Sequence, residues 1–136
     1  MIRETMLSLA ASRERPDRAS IEKLVRTYLR TLDTGDIEGR LALFAPDATF
    51  EDPVGTPAIV GHAALRAFWA GGAGLEVETR LEMLAITGNE AAYVFTARLL
   101  AGADDRVTIR VIELLTVDAK GLISTMRAYF DRHTIE

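Results

Sequence analysis

From Leu75 onward the apolar residues stop recurring at helical spacing and begin to alternate. Leu75, Val77, Thr79, Leu81 and Met83 fall on one face of an extended chain, with Glu76, Glu78, Arg80 and Glu82 on the other. Gly88-Asn89 turns the chain, after which Tyr93, Phe95, Ala97 and Leu99 alternate with Val94, Thr96 and Arg98. Ala103-Asp104-Asp105 turns it again into a strand from Arg106 to Val117. Asp118-Ala119-Lys120-Gly121 has the turn chemistry of a short hairpin, and Leu122 to Tyr129 reads as the last strand. Everything upstream of Leu75 is helical in period or too short to be a long strand. Helices first and a meander of long strands afterwards predict an α+β domain, its curved antiparallel sheet wrapped on the helices.

The first helix opens at Pro16-Asp17, with Asp17 or Ser20 as N-cap, and Gly35 stops it. Ile21, Leu24, Val25, Tyr28, Leu29 and Leu32 share one face of it. Asp36 caps a second, shorter helix with Ile37, Leu41 and Phe44 inward, ended by Ala45-Pro46-Asp47. Gly61 and His62 start a third, with Leu65, Phe68 and Trp69 on one side, and Gly71, Gly72 and Gly74 break it before the sheet. At a helix start, His62 reads as a capping or solvent-facing residue.

The 136 residues suit one domain with a single core, residues 16–136, preceded by a leader of uncertain order, residues 1–15. A formal net charge of −4 with scattered basic residues gives no electrostatic footprint for nucleic acid or acidic lipid. No apolar run approaches the ~20 residues of a membrane span, and the leader lacks the long uncharged core of a secretory signal. The absence of cysteine excludes disulfides and thiol chemistry and fits a reducing, cytoplasmic setting. Two histidines, His62 and His133, are too few for a His-rich metal site.

Three polar residues stand out against this background. Ala48-Thr49-Phe50 arrives as a strand, and Pro53 removes a ladder donor, so the strand ends at Asp52. Asp52 is thereby a carboxylate at a strand mouth on a stiff apolar loop, or else ordinary Asp-Pro turn punctuation. Tyr28 is a phenol on a core-facing stripe, either a core tyrosine with a satisfied hydroxyl or a site residue. Glu113 shares a strand face with Val107, Ile109, Val111, Leu115 and Val117. A carboxylate there is costly unless it is ion-paired or stays protonated, in which case it donates a hydrogen bond.

Several segments resemble a bacterial ketosteroid isomerase, a steroid Δ-isomerase. They are Tyr28 to Glu38, Ala45 to Gly55, Pro57 to Gly61 and Gly121 to Phe130, in matching order from roughly Arg18 to His133. The resemblance implies the cone-shaped α+β barrel shared with nuclear transport factor 2, usually a homodimer, with an apolar pocket inside the cone. It implies Asp52 as the base moving a proton α to a ketone, with Tyr28 as the first donor to the dienolate oxygen. The second donor falls on Glu113, where the family has Asp; the extra methylene keeps the acid but moves it. Phe44 and Trp69 stand where the family carries further tyrosines, so the tyrosine chain is broken. Phe130 takes the place of an aromatic beside the base, and Met126 lines the pocket with it. No cofactor and no metal are implied, because base, donor and donor suffice for enolisation.

The implied activity is isomerisation of a β,γ-unsaturated, steroid-like ketone. An epoxide hydrolase or polyketide cyclase using the Asp52 and Glu113 pair is a second reading on the same fold. A non-catalytic domain that binds a hydrophobic small molecule is a third.

Overall fold

The computed structural model describes residues 1–136. Helix α1, Ile2–Ala11, is followed by α2, Arg18–Thr34, and α3, Ile37–Leu41. Strands β1, Phe44–Glu51, and β2, Ile59–Val60, precede α4, His62–Ala70. The chain then meanders through β3, Glu76–Thr87, β4, Glu90–Leu100, β5, Arg106–Val117, and β6, Ile123–Tyr129. The six strands form one sheet in the order β2-β1-β6-β5-β4-β3, so the expected α+β class holds. β1 runs parallel to β6, which makes the sheet mixed rather than wholly antiparallel. Within residues 1–15, α1 buries no residue.

The apolar stripe of α2 forms as its spacing requires. Ile21, Val25, Tyr28 and Leu29 are buried, and Leu24 and Leu32 pack partly against them. Gly35 ends α2 in the left-handed conformation, φ 69°, which costs a glycine little. Asp17 stands at the N-cap position, but its side chain makes no capping bond and pairs with Arg15 at 2.9 Å.

Two local expectations are corrected. Phe44 was assigned to the second helix, with Ala45-Pro46-Asp47 as its end, yet α3 stops at Leu41 and Phe44 opens β1. Pro46 cannot donate to the ladder, and the β1–β6 register shifts between Phe44 and Thr49 to accommodate it. In β3, the alternation puts Met83 on one face with Leu81. A register shift between Leu81 and Met83 flips it to the surface, 68% exposed, and turns Leu84 and Ile86 toward the core.

The remaining strands keep the predicted alternation. Tyr93, Phe95 and Ala97 on β4 and Val111, Glu113, Leu115 and Val117 on β5 are buried. Ile112 and Leu114 face outward. Asp118 closes the last hairpin by accepting from the backbone N–H groups of Lys120 and Leu122, both at 2.9 Å.

Candidate active site

Asp52 follows directly on β1, and its loop is fastened to β6. The Val54 N–H donates to the Ala128 carbonyl at 2.8 Å. Thr56 folds the loop back on itself, its hydroxyl donating to the Pro53 carbonyl at 2.7 Å. Ala128 is also the residue that β6 pairs with Glu113 of β5. One β6 position therefore holds both the Asp52 loop and the Glu113 strand.

Across the other edge of β5, Glu113 pairs with Tyr93 of β4. The Tyr93 hydroxyl donates to Glu113 Oε1 at 2.6 Å. Glu113 and Tyr93 are each 2% exposed, and Glu113 forms no salt bridge, so the ion-pair alternative for it is not what the protein uses. Burial pushes the Glu113 carboxyl up to about 8, the Tyr93 hydrogen bond pulling it down and the charge of Asp52 pushing it up. Burial alone lifts Asp52 to about 6. At neutral pH the first is mainly protonated and the second mainly ionised.

Tyr28, also 2% exposed, feels both of them. Its phenol is held well above its usual range by burial, then by the charges of Glu113 and Asp52, while Arg40 opposes the rise. The Tyr28 hydroxyl and the second oxygen of Glu113 make no hydrogen bond within the protein. Neither is sealed off, since the one fully buried side-chain oxygen without a partner is Asp17 Oδ1. Tyr28, Asp52 and Glu113 are therefore brought into one electrostatic neighbourhood, with the Tyr28 hydroxyl and one Glu113 oxygen unpartnered.

A cavity of about 530 Å³ opens between the C-terminal end of α2, α3, α4 and the start of β3. Asp52, Arg40, Trp69, Phe68, Ile37 and Leu99 are in its wall. The size is that of a site for a small apolar ligand. Of Phe44, Trp69, Met126 and Phe130, all expected to contact substrate, Trp69 lines this cavity. Phe44 stands behind Trp69, ring centroids 5.3 Å apart, and touches Tyr28 edge-on at 6.0 Å. Met126 is fully buried in the core. Phe130 lines a separate groove of about 260 Å³ with Pro53, Val54, Ile112 and Tyr129. Tyr28 and Glu113 lie outside the cavity wall itself. His62, at the first position of α4, has Nε2 2.9 Å from the Phe44 carbonyl and braces β1 instead of facing solvent alone.

Two residues of this neighbourhood escaped the sequence reading. The alternation marks Tyr93 only as one residue of a strand face, although a turn centred on Ala103 places residue 93 opposite residue 113. Arg40 occupies the inward stripe of α3, three residues after Ile37 and one before Leu41, where a charge on an apolar face is the signal.

The chain matches the SnoaL-like domain model over residues 25–126. The chain belongs to that family. It is 37% identical over 112 residues to a steroid Δ-isomerase of Nocardioides simplex, an alignment covering 82% of this chain and 90% of the relative. The kinship to ketosteroid isomerases inferred from the motifs is thus upheld. It is also 31% identical to the epoxide hydrolase LasB of Streptomyces lasalocidi, covering 88% of this chain but 50% of that protein. Among solved structures, the epoxide hydrolase/cyclase-like enzyme SalBIII superposes with TM-score 0.79 at 27% identity, over 88% of this chain and 96% of its own. A Mycobacterium tuberculosis protein solved with estradiol-17β-hemisuccinate gives 0.78 at 24% identity, over 86% and 98%, and shares the fold. The SnoaL-like, nuclear transport factor 2-like fold accounts for the curved sheet, which is open rather than closed. No helix is long and apolar enough to cross a membrane.

Proposed function

We propose that the protein is an isomerase that moves the C=C bond of a β,γ-unsaturated, steroid-like ketone into conjugation. The separation of Asp52 and Glu113 into an ionised base and a neutral acid carries this reading. The Nocardioides simplex relative supports the reaction class. Asp52 takes a proton from the carbon between the carbonyl and the alkene, leaving a dienolate. The oxygen, now negative, accepts hydrogen bonds from Tyr28 and from the protonated Glu113. Asp52 returns the same proton to the γ-carbon, and the carbonyl re-forms as a conjugated enone. The transfer is intramolecular and redox-neutral, so nothing beyond these three groups is required. In this reading the protein works as a homodimer, as the resemblance implies, with sedimentation analysis as its test.

The deciding assay follows growth of the conjugated enone from a β,γ-unsaturated 3-oxo steroid, with wild type and Asp52→Asn side by side. Rapid conversion that the variant loses, while still binding the steroid, is the expected result. An Asp52→Asn protein as active as wild type would remove Asp52 as the base. The LasB relationship favours one other reading: Glu113 protonates an epoxide oxygen while Asp52 activates the attacking water. A wild-type protein that binds the steroid without converting it, and opens epoxides, decides for that chemistry.

A further inference from the structure

Arg40 is 5% exposed and forms no salt bridge; every ion pair in the molecule lies elsewhere. Its Nε donates to Thr31 Oγ1 at 3.0 Å and one terminal nitrogen, Nη2, to the Thr31 carbonyl at 2.8 Å. The guanidinium also lies over the Trp69 ring, 4.8 Å from its centroid. The Thr31 carbonyl belongs to the last turn of α2, whose partial negative charge tolerates a cation. None of these contacts neutralises a full charge, and burying an unpaired cation is costly.

No carboxylate is ion-paired with it. Asp36 favours the charged Arg40 at a distance, but it forms no ion pair with it and accepts from the Gly39 N–H at 2.9 Å. Asp52 shares the cavity, yet its carboxyl is raised by burial and shows no pull from Arg40. Nη1 of Arg40 has no partner in the protein and is not sealed off. A buried guanidinium thus sits in the wall of an otherwise mainly apolar and glycine-lined cavity, with a donor unspent.

We infer that Arg40 is the anion-recognition residue of this cavity, and that its ligand is a hydrophobic molecule bearing a carboxylate. Arginine suits that role because its planar fork matches a carboxylate and it stays charged when buried. The carboxylate pairs with Arg40 at one part of the cavity, and Asp52 faces the remainder of the ligand. That Asp52 meets a reacting carbon there rests on the isomerase reading; the anion site does not.

The test measures binding of 3-oxoandrost-4-ene-17β-carboxylate and of its methyl ester by calorimetry at neutral pH. Wild type is expected to prefer the acid by about tenfold or more, one interaction's worth of discrimination. Arg40→Met, which keeps the bulk and drops the charge, brings the ratio to about one, while Arg40→Lys keeps part of the preference. A wild-type ratio near one, failure to bind either compound, or a preference retained in Arg40→Met overturns the inference. The wild-type ratio decides even if Arg40→Met does not fold. Turnover of an uncharged β,γ-unsaturated ketone separates the two claims. Acid preference without turnover removes the isomerase and leaves the anion site; turnover without preference does the reverse.

Discussion

Tyr93 on β4 donates a hydrogen bond from its hydroxyl to Glu113 Oε1 on β5, 2.6 Å away, where each residue is only 2% exposed. When Glu113 is protonated, this contact occupies one oxygen and leaves the acid proton for the other. The phenol therefore sets which oxygen faces a ligand. It also stabilises the ionised form, which is why it works against burial in setting the acidity of Glu113.

Tyr93→Phe removes that donor without removing the ring. Glu113 should then ionise at still higher pH, and the alkaline limb of kcat/KM should move upward. The rate at neutral pH should fall by less than about tenfold, because in the isomerase reading Tyr93 positions the acid and does not touch the dienolate. An alkaline limb that stays in place would show that some group other than Glu113 governs it.

The wild-type pH dependence follows from the two carboxyls. A base must be ionised, so kcat/KM should rise as pH passes about 6, where Asp52 loses its proton. A donor must be protonated, so it should fall as pH passes about 8, where Glu113 loses its own. Because the two groups interact, the limbs report the pair's apparent values. In Glu113→Gln the alkaline limb should disappear while the acid limb stays. Persistence of both limbs in that variant would remove Glu113 from the assignment.

The same acidity bears on stability. Glu113 is raised from 4.5 to about 8 on folding, so its contribution is fully present below pH 4.5 and is lost as pH climbs to about 8. At about 1.4 kcal/mol per unit, the loss is on the order of a few kcal/mol. Glu113→Gln keeps an acceptor for Tyr93 and cannot ionise, so it escapes the penalty. Its melting temperature should match wild type near pH 4.5 and exceed it by several degrees near pH 8.5. A difference between the two proteins that does not change with pH would mean that Glu113 is ionised in the fold throughout.

The period change at Leu75 sufficed to read the meander, because alternation of two is rigid and each strand buries one face. It failed at Met83, since a single extra residue in a strand reverses every side chain beyond it and leaves no mark in hydropathy. Phe44 was misassigned for a related reason: it continues the stripe of Ile37 and Leu41, and only its pairing with Ile123 reveals a strand. β2 was missed because two residues, Ile59 and Val60, are too short to show a period. At the site, Tyr28, Asp52 and Glu113 were legible as residues that break a local rule. Their convergence follows from the resemblance alone and not from their spacing, because Ala128 joins the Asp52 loop to the Glu113 strand through the backbone. Arg40 obeyed the helical spacing of its stripe and so went unremarked, although it alone in that stripe is charged.

Tyr28 offers the sharpest separation of catalysis from packing. Its hydroxyl makes no hydrogen bond within the protein, and its ring already packs against Phe44. Tyr28→Phe therefore breaks no internal bond and opens no cavity, and its melting temperature should stay close to that of wild type. If the hydroxyl holds the dienolate oxygen, the rate should fall on the order of 10²–10³. The loss should appear equally in kcat and kcat/KM, because the interaction strengthens only as charge develops on the oxygen. A loss below tenfold would return Tyr28 to the core, as a phenol that happens to face an accessible space. A loss confined to KM would make it a ligand-binding residue, and the oxyanion would then rest on Glu113 alone.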